Sequence, residues 1–193
     1  MLNRCHCQKE MWTERHDRVH RIIESHHAQL RQYEGGQQWT IVSSGSQPPL
    51  DYLPPVSEYQ SLKPDLILAA CNSVTGRVEK VVVADIAVTN PLGLKDCRKR
   101  KLEKYQALSQ AIGEHLRAEA KVVAIVFSSV ASCDSRLEDA LKQIGFPSGS
   151  CIKRVVQAAC FSIIQSDYTM FVNRCRPAAA AVAPAAPVQP AMN

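Results

Sequence analysis

The chain of 193 residues is 46% hydrophobic and 21% charged, which fits one globular domain with a sizeable core and excludes a disordered chain. No window approaches the ~18 consecutive apolar residues of a membrane helix, and Met1-Leu2-Asn3-Arg4 lacks the apolar stretch of a secretory signal. The net charge is only +5, yet Lys95, Arg98, Lys99, Arg100, Lys101 and Lys104 crowd into one short run, and such clustering points to a polyanionic partner.

Helical periodicity sets in at Thr13. Val19, Ile22, Ile23, His26, Leu30 and Tyr33 recur at steps of three and four, and Gly35-Gly36 closes the helix. Gln38 to Ser43 is short, aromatic and β-branched and predicts a strand, followed by a surface loop over the Ser/Gly/Pro-rich stretch Ser43 to Pro55. Lys63 to Ala70 and Lys80 to Val88 read as buried strands, paired antiparallel through a hairpin at Thr75-Gly76. The hairpin from Cys71 to Lys80 is long and leaves their register open.

Past Asn90-Pro91-Leu92-Gly93 a long helix is expected from about Lys95 to Arg117, with Leu102, Tyr105, Leu108, Ile112 and Leu116 forming its apolar stripe. Lys121 to Ser128 is another buried strand. Ser135-x-x-Glu138 reads as a capping box opening a short helix that Gly145 ends. Cys151 to Val172 offers a further helix around Val155, Val156, Ala159, Ile163 and Ile164, and these C-terminal helices are expected to cover a sheet face. Pro177 to Asn193 is almost wholly Ala, Pro and Val, and is read as a disordered tail outside the fold.

The eight cysteines are scattered, several within apolar segments, which suits reduced thiols in an intracellular protein. Cys5-x-Cys7 with His16 and His20 resembles a zinc site, but the spacing departs from the usual one and no zinc is expected. His6, His26 and His27 are read as surface residues, and Trp12 and Trp39 as core or staple residues rather than platforms for bases.

Two acids carry the chemistry. Asp65 follows Pro64 at the opening of one strand, and Asp85 interrupts the run Val81, Val82, Val83, Ala84, Asp85, Ile86, Ala87, Val88. A carboxylate in such a run is expensive unless something binds it. Alone, Asp65 could cap a turn and Asp85 could be solvated near an edge. Together, on adjacent antiparallel strands, the pair could converge on one Mg²⁺, which takes one or two protein carboxylates and keeps waters and phosphate oxygens. At ~100° per residue, Lys101 lies within about 40° of the apolar stripe's centre and Lys104 roughly 100° away, so Lys101 should point inward and Lys104 sideways.

The order helix, strand, strand, strand, helix, strand resembles the αβββαβ core of the PD-(D/E)XK nuclease superfamily, which implies an α/β fold with a central mixed sheet flanked by helices, here with extra C-terminal helices. Four motifs resemble the restriction-like endonuclease domain of site-specific non-LTR retrotransposon polyproteins. They are Thr13-x-Arg15-His16-Asp17-Arg18-Val19, Lys63-Pro64-Asp65-Leu66, Val83-Ala84-Asp85-Ile86 and Lys101-x-x-Lys104-Tyr105, spread over roughly Thr13 to Gly145. The resemblance implies Asp65 and Asp85 as metal ligands and, with Lys101 and Lys104, as catalytic residues. It implies Arg15, His16, Asp17 and Tyr105 as a supporting motif, and it leaves Lys95, Arg98, Lys99 and Arg100 to meet nucleic acid. Ala87 stands where the superfamily carries its usual lysine, two residues after the second acid, so the lysine role passes to the helix.

The implied activity is Mg²⁺- or Mn²⁺-dependent nicking of target DNA for retrotransposon integration, in the nucleus. The implied partners are double-stranded DNA, the element's RNA and a reverse transcriptase module, with no membrane. Residues 1–12 would be the remnant of a zinc-knuckle-like segment upstream of a nuclease domain spanning 13–176. The alternative is a retroelement-derived module that binds nucleic acid without cutting it.

Overall fold

A computed structural model describes residues 6–30, 33–34, 37–46, 48–53, 58–147 and 149–175. Helix α1 (His6–Gln29) leads into strands β1 (Tyr33–Glu34), β2 (Gln37–Ser44), β3 (Leu66–Asn72) and β4 (Val78–Thr89). Helix α2 (Leu94–Leu116), strand β5 (Glu119–Ser128) and helices α3 (Leu137–Gln143) and α4 (Ser150–Cys175) follow. The five strands form one sheet in sequence order, antiparallel except for the parallel pair β4–β5 that α2 connects. This is the expected α/β mixed sheet flanked by helices, with the helices α3 and α4 added at its end.

Strand alternation decides what each face of the sheet buries. On β4, Val82, Ala84 and Ile86 enter the larger core, with Val19 and Ile23 of α1, Val123, Ile125 and Phe127 of β5, and Leu137, Leu141, Val155, Ala159 and Ile163 of the last two helices. Val81 and Val83 point the other way, onto Tyr105, Leu108 and Ile112 of α2 and Leu53 of the loop before β3. Asp85 has the parity of Val81 and Val83. It therefore faces α2, and that parity brings the basic helix to the acid.

The register matters to the site. Leu66 pairs with Ala84 and the ladder runs unbroken to Ala70 opposite Lys80; it slips only at Cys71, which pairs with Val78. The bulge absorbs the extra length of the hairpin at the end away from the acids. Continuing the ladder one step past Leu66 sets Asp65 opposite Asp85.

Several sequence expectations need correction. The first helix ends at Gln29, and Tyr33 pairs with Gln38 in the β1–β2 hairpin rather than extending the helix. At its other end it begins at His6, so residues 6–12 are helical, and Cys5 and the stretch 176–193 lie outside the described residues. The Ser135 capping box does not form: the α3 N-cap is Arg136 without a side-chain cap, and Asp134 Oδ1 takes the Arg136 N–H at 2.8 Å instead. His27 is buried, its Nε2 donating to Ile144 O at 2.9 Å, so it is no surface residue. Ile164 is 55% exposed and does not belong to the buried stripe of α4. Trp12 is exposed, whereas Trp39 packs against the larger core.

Trp39 explains Gly145. The glycine holds φ +93°, and a Cβ built on it would stand 2.9 Å from the indole ring. Gly145→Ala would add backbone strain to that overlap, and we expect it to lower stability by about 2 kcal/mol, read as a fall in the urea midpoint at unchanged slope. An unchanged midpoint would show that the indole yields freely.

Candidate active site

The segment before β3 is held from three directions. Pro64 is buried and ends the loop, and Asp65 follows with a half-buried side chain. Gly45 N donates to Asp65 O at 2.7 Å, and His20 Nε2 donates to the same carbonyl at 3.0 Å. From α2, Tyr105 Oη donates to Lys63 O at 2.9 Å, and Lys104 Nζ donates to that hydroxyl at 2.7 Å. Asp65 is thus presented by a fixed backbone.

Its carboxylate is fixed as well. Asp65 Oδ2 accepts Ile86 N–H at 2.6 Å, a bond that ties it to the residue beside Asp85, and His16 Nε2 lies 3.2 Å from the same oxygen. His16 Nε2 is also 3.2 Å from Ile86 O, and its Nδ1 is 3.2 Å from Asp17 Oδ1. With acceptors at both nitrogens, the ring is stabilised as the doubly protonated imidazolium. Hydrogen bonding to Asp65 is the main cause, and it raises the His16 pKa from 6.5 to about 9 against the opposing effect of burial.

The two acids are pushed in opposite directions. Burial raises Asp65, but its bonds to His16 and Ile86 and the charges of His16 and Lys101 outweigh that and hold its carboxyl below the ordinary value. Asp85 is raised, first by burial and then by the negative charge of Asp65, with the ion pair to Lys101 only partly offsetting these. Its side chain is 3% exposed, and Lys101 Nζ meets its Oδ2 directly. Such splitting of neighbouring carboxyls is characteristic of sites built for acid–base or metal chemistry, although structural ion-pair networks also produce it.

The remaining candidates spread around this centre. Tyr105 is fully buried beneath it, and burial together with Asp85 and Asp65 raises its hydroxyl pKa. Lys104 is exposed and lies over the Tyr105 ring at 4.5 Å. Arg15 turns away from the acids: it is buried between α1 and α4, paired with Asp167 at 2.5 Å. Asp17 reaches the site only through His16. Lys95, Lys99 and Arg100 are exposed, Lys99 paired loosely with Glu103 at 3.8 Å, while Arg98 is drawn to the buried Asp134 at 3.3 Å.

Sequence reasoning missed two residues. His20 was visible as the partner of His16 one helical turn away, but its contact with the carbonyl of Asp65 spans 45 residues and leaves no local trace. Asp134, which holds Arg98, sits in a loop whose composition signals only a turn. As for zinc, His16 and His20 are committed to Asp65, and Cys5 lies outside the described residues.

Could a divalent ion fit? The donors are hard oxygens on two opposed carboxyls, Asp65 held by His16 and Ile86 N–H and Asp85 by Lys101, and hard oxygens are the donor type that Mg²⁺ or Mn²⁺ takes. Among the described residues no group of three or more His, Cys, Asp and Glu gathers as a metal cage. The two carboxyls of Asp65 and Asp85 are the acidic oxygens that the site itself brings together. No protein-family model matches this chain, and no curated protein matches it.

The His16–Asp65 bond has a pH signature. A histidine whose pKa rises from 6.5 to about 9 on folding contributes stability that is complete below pH 6.5 and is lost as pH climbs through 9. The His16 side chain is 29% exposed, so the contribution survives screening. Wild-type stability should fall by up to about 3 kcal/mol across that window, and His16→Ala should remove the slope. Parallel curves for the two proteins in urea titrations at several pH values would contradict the bond.

Proposed function

We propose that the chain is a metal-dependent DNA endonuclease domain of the restriction-enzyme-like kind, nicking one strand by hydrolysis of a phosphodiester. The observation that carries this reading is Asp85. A carboxyl buried on β4, beside a second acid and against a lysine from the following helix, costs folding free energy that a purely structural role does not return. The αβββαβ order and the four motifs that resemble the retrotransposon endonuclease domain support the same reading.

In this scheme Asp65 and Asp85 hold the ion, and His16, Ile86 N–H, His20 and Tyr105 keep Asp65 in place. Mg²⁺ or Mn²⁺, if held there by Asp65 and Asp85, would supply charge neutralisation at the scissile phosphate. Lys101, whose ammonium meets Asp85, would offset charge developing on the oxygens of a phosphate brought to the acids. Lys104, Lys95 and Arg100 stand exposed on the same helix for the DNA backbone, a sequence-independent grip that weakens with salt. Nuclear action beside a reverse transcriptase module belongs to the same proposal.

A second reading draws on the Lys101–Asp85 ion pair itself. A lysine closed onto the acid can substitute for the ion, which suits a module that kept the fold and the basic helix but only binds nucleic acid. Titration calorimetry with Mn²⁺ separates the two. The nuclease reading expects binding in the wild type and its loss in Asp65→Asn; heat unaffected by that substitution, or none at all, would leave only the second.

A further inference from the structure

Helix α4 is apolar on two sides. Ile152, Val155, Ala159, Ile163 and Met170 are buried against the domain. On the opposite side Phe161 is 69% exposed, Ile164 55%, Tyr168 67% and Phe171 64%. At ~100° per residue these four centre roughly 150° from the buried set, so the two sets cannot face the core together. A helix apolar on both sides is normally covered on both, and the spacing of three, four and three residues is that of a coiled-coil seam, whose natural complement is another helix.

We infer that the outer face of α4 is a self-association surface, on which a second copy of this chain lays its own α4 antiparallel about a two-fold axis that crosses the outer face at the level of the inward-facing Ser166. The seam reads the same in both directions from that point. Phe161 meets Phe171 of the other copy and Ile164 meets Tyr168, so the patch complements itself as a two-fold contact requires. From the exposures and ~200 Å² per side chain, the four residues offer roughly 500 Å² per copy. The total of about 1,000 Å² reaches the lower bound for a specific interface.

Charge selects both the occupant and the direction. The seam is flanked by Gln157 and Gln165, and by Asp167, which is already paired with Arg15, so two copies approach without like-charge repulsion along it. Nucleic acid finds no cation between Phe161 and Phe171: Lys153 and Arg154 lie beyond the N-terminal end of the seam, and Lys95, Arg100 and Lys104 belong to α2 on the other face of the sheet. A parallel pairing would set Lys153 and Arg154 of one copy beside those of the other. The antiparallel pairing puts them at opposite ends.

Sedimentation equilibrium of the full chain at tens of micromolar should give twice the 21.3 kDa chain mass. Phe161→Glu and Phe171→Lys, both on exposed positions, should each weaken association at least about tenfold with unchanged circular dichroism. The double variant F161E/F171K should recover most of the loss, because antiparallel pairing brings the new opposite charges together. A monomer at every concentration, a dimer indifferent to F161E, or a double variant without recovery would overturn the proposal. So would a monomer that dimerises only after removal of residues 177–193, which would make that segment the occupant.

Discussion

Asp85→Ala should reduce nicking by about three orders of magnitude while leaving the protein folded, and more resistant to urea than the wild type. The two effects have one origin. Asp85 is buried at the middle of β4 with its carboxyl raised by burial and by Asp65, so at neutral pH its charge opposes folding. Removing it relieves that cost. Lys101 is left without its partner, but its side chain is 28% exposed and can turn to water, so little is lost on that side. The sign of the stability change therefore distinguishes a functional acid from a structural one. Lower activity with higher stability marks a residue retained for chemistry, and lower activity with unfolding marks one retained for packing.

The second large effect is expected at Lys101. Its ammonium touches Asp85, whereas Lys104 bonds to Tyr105 and otherwise faces solvent. Lys101→Ala should lower the single-turnover cutting rate at saturating DNA by about 100-fold with little change in affinity. Lys104→Ala should leave that rate within a few fold, weaken DNA binding, and reduce the salt dependence of binding by about one counterion. The reverse pattern would exchange the two roles. Loss of affinity at both positions with equal rates would make the helix a binding element only.

Much of this site could be read from the chain before its structure. Asp85 stands out because seven apolar neighbours surround it in a strand, and a period of two then fixes which face it takes. Lys101 points inward because helical phase relative to Tyr105 and Leu108 does not depend on where the helix starts. Both are properties of local repeats, which sequence carries explicitly. The mixed α/β sheet followed from the same kind of signal, with strands separated by one long amphipathic helix.

What was not legible depends on distant contacts or on competition between neighbours. Ser135 offers a capping box, but Asp134 one residue earlier closes its own turn, its carboxylate taking the Arg136 N–H and its carbonyl the Leu137 N–H, and the helix starts only after Arg136. His26 and His27 look alike in sequence, yet only His27 meets Ile144, which is 117 residues away. In α4 the periodicity fails for a different reason: apolar residues occupy both sides, so nothing local separates the buried Ile163 from the exposed Ile164. Arg15 shows the same limit. Its motif marks it as important, but only the packing of α1 on α4 shows that it serves Asp167 rather than the acids.

The central claim is tested most directly by incubating supercoiled plasmid with the purified chain in Mg²⁺ or Mn²⁺ and resolving the products on a gel. The account expects open circles to accumulate with the wild type, and none to form with EDTA, with Asp65→Asn or with Asp85→Ala. Plasmid left supercoiled by a wild type that binds it, or cutting that continues in EDTA, would contradict it.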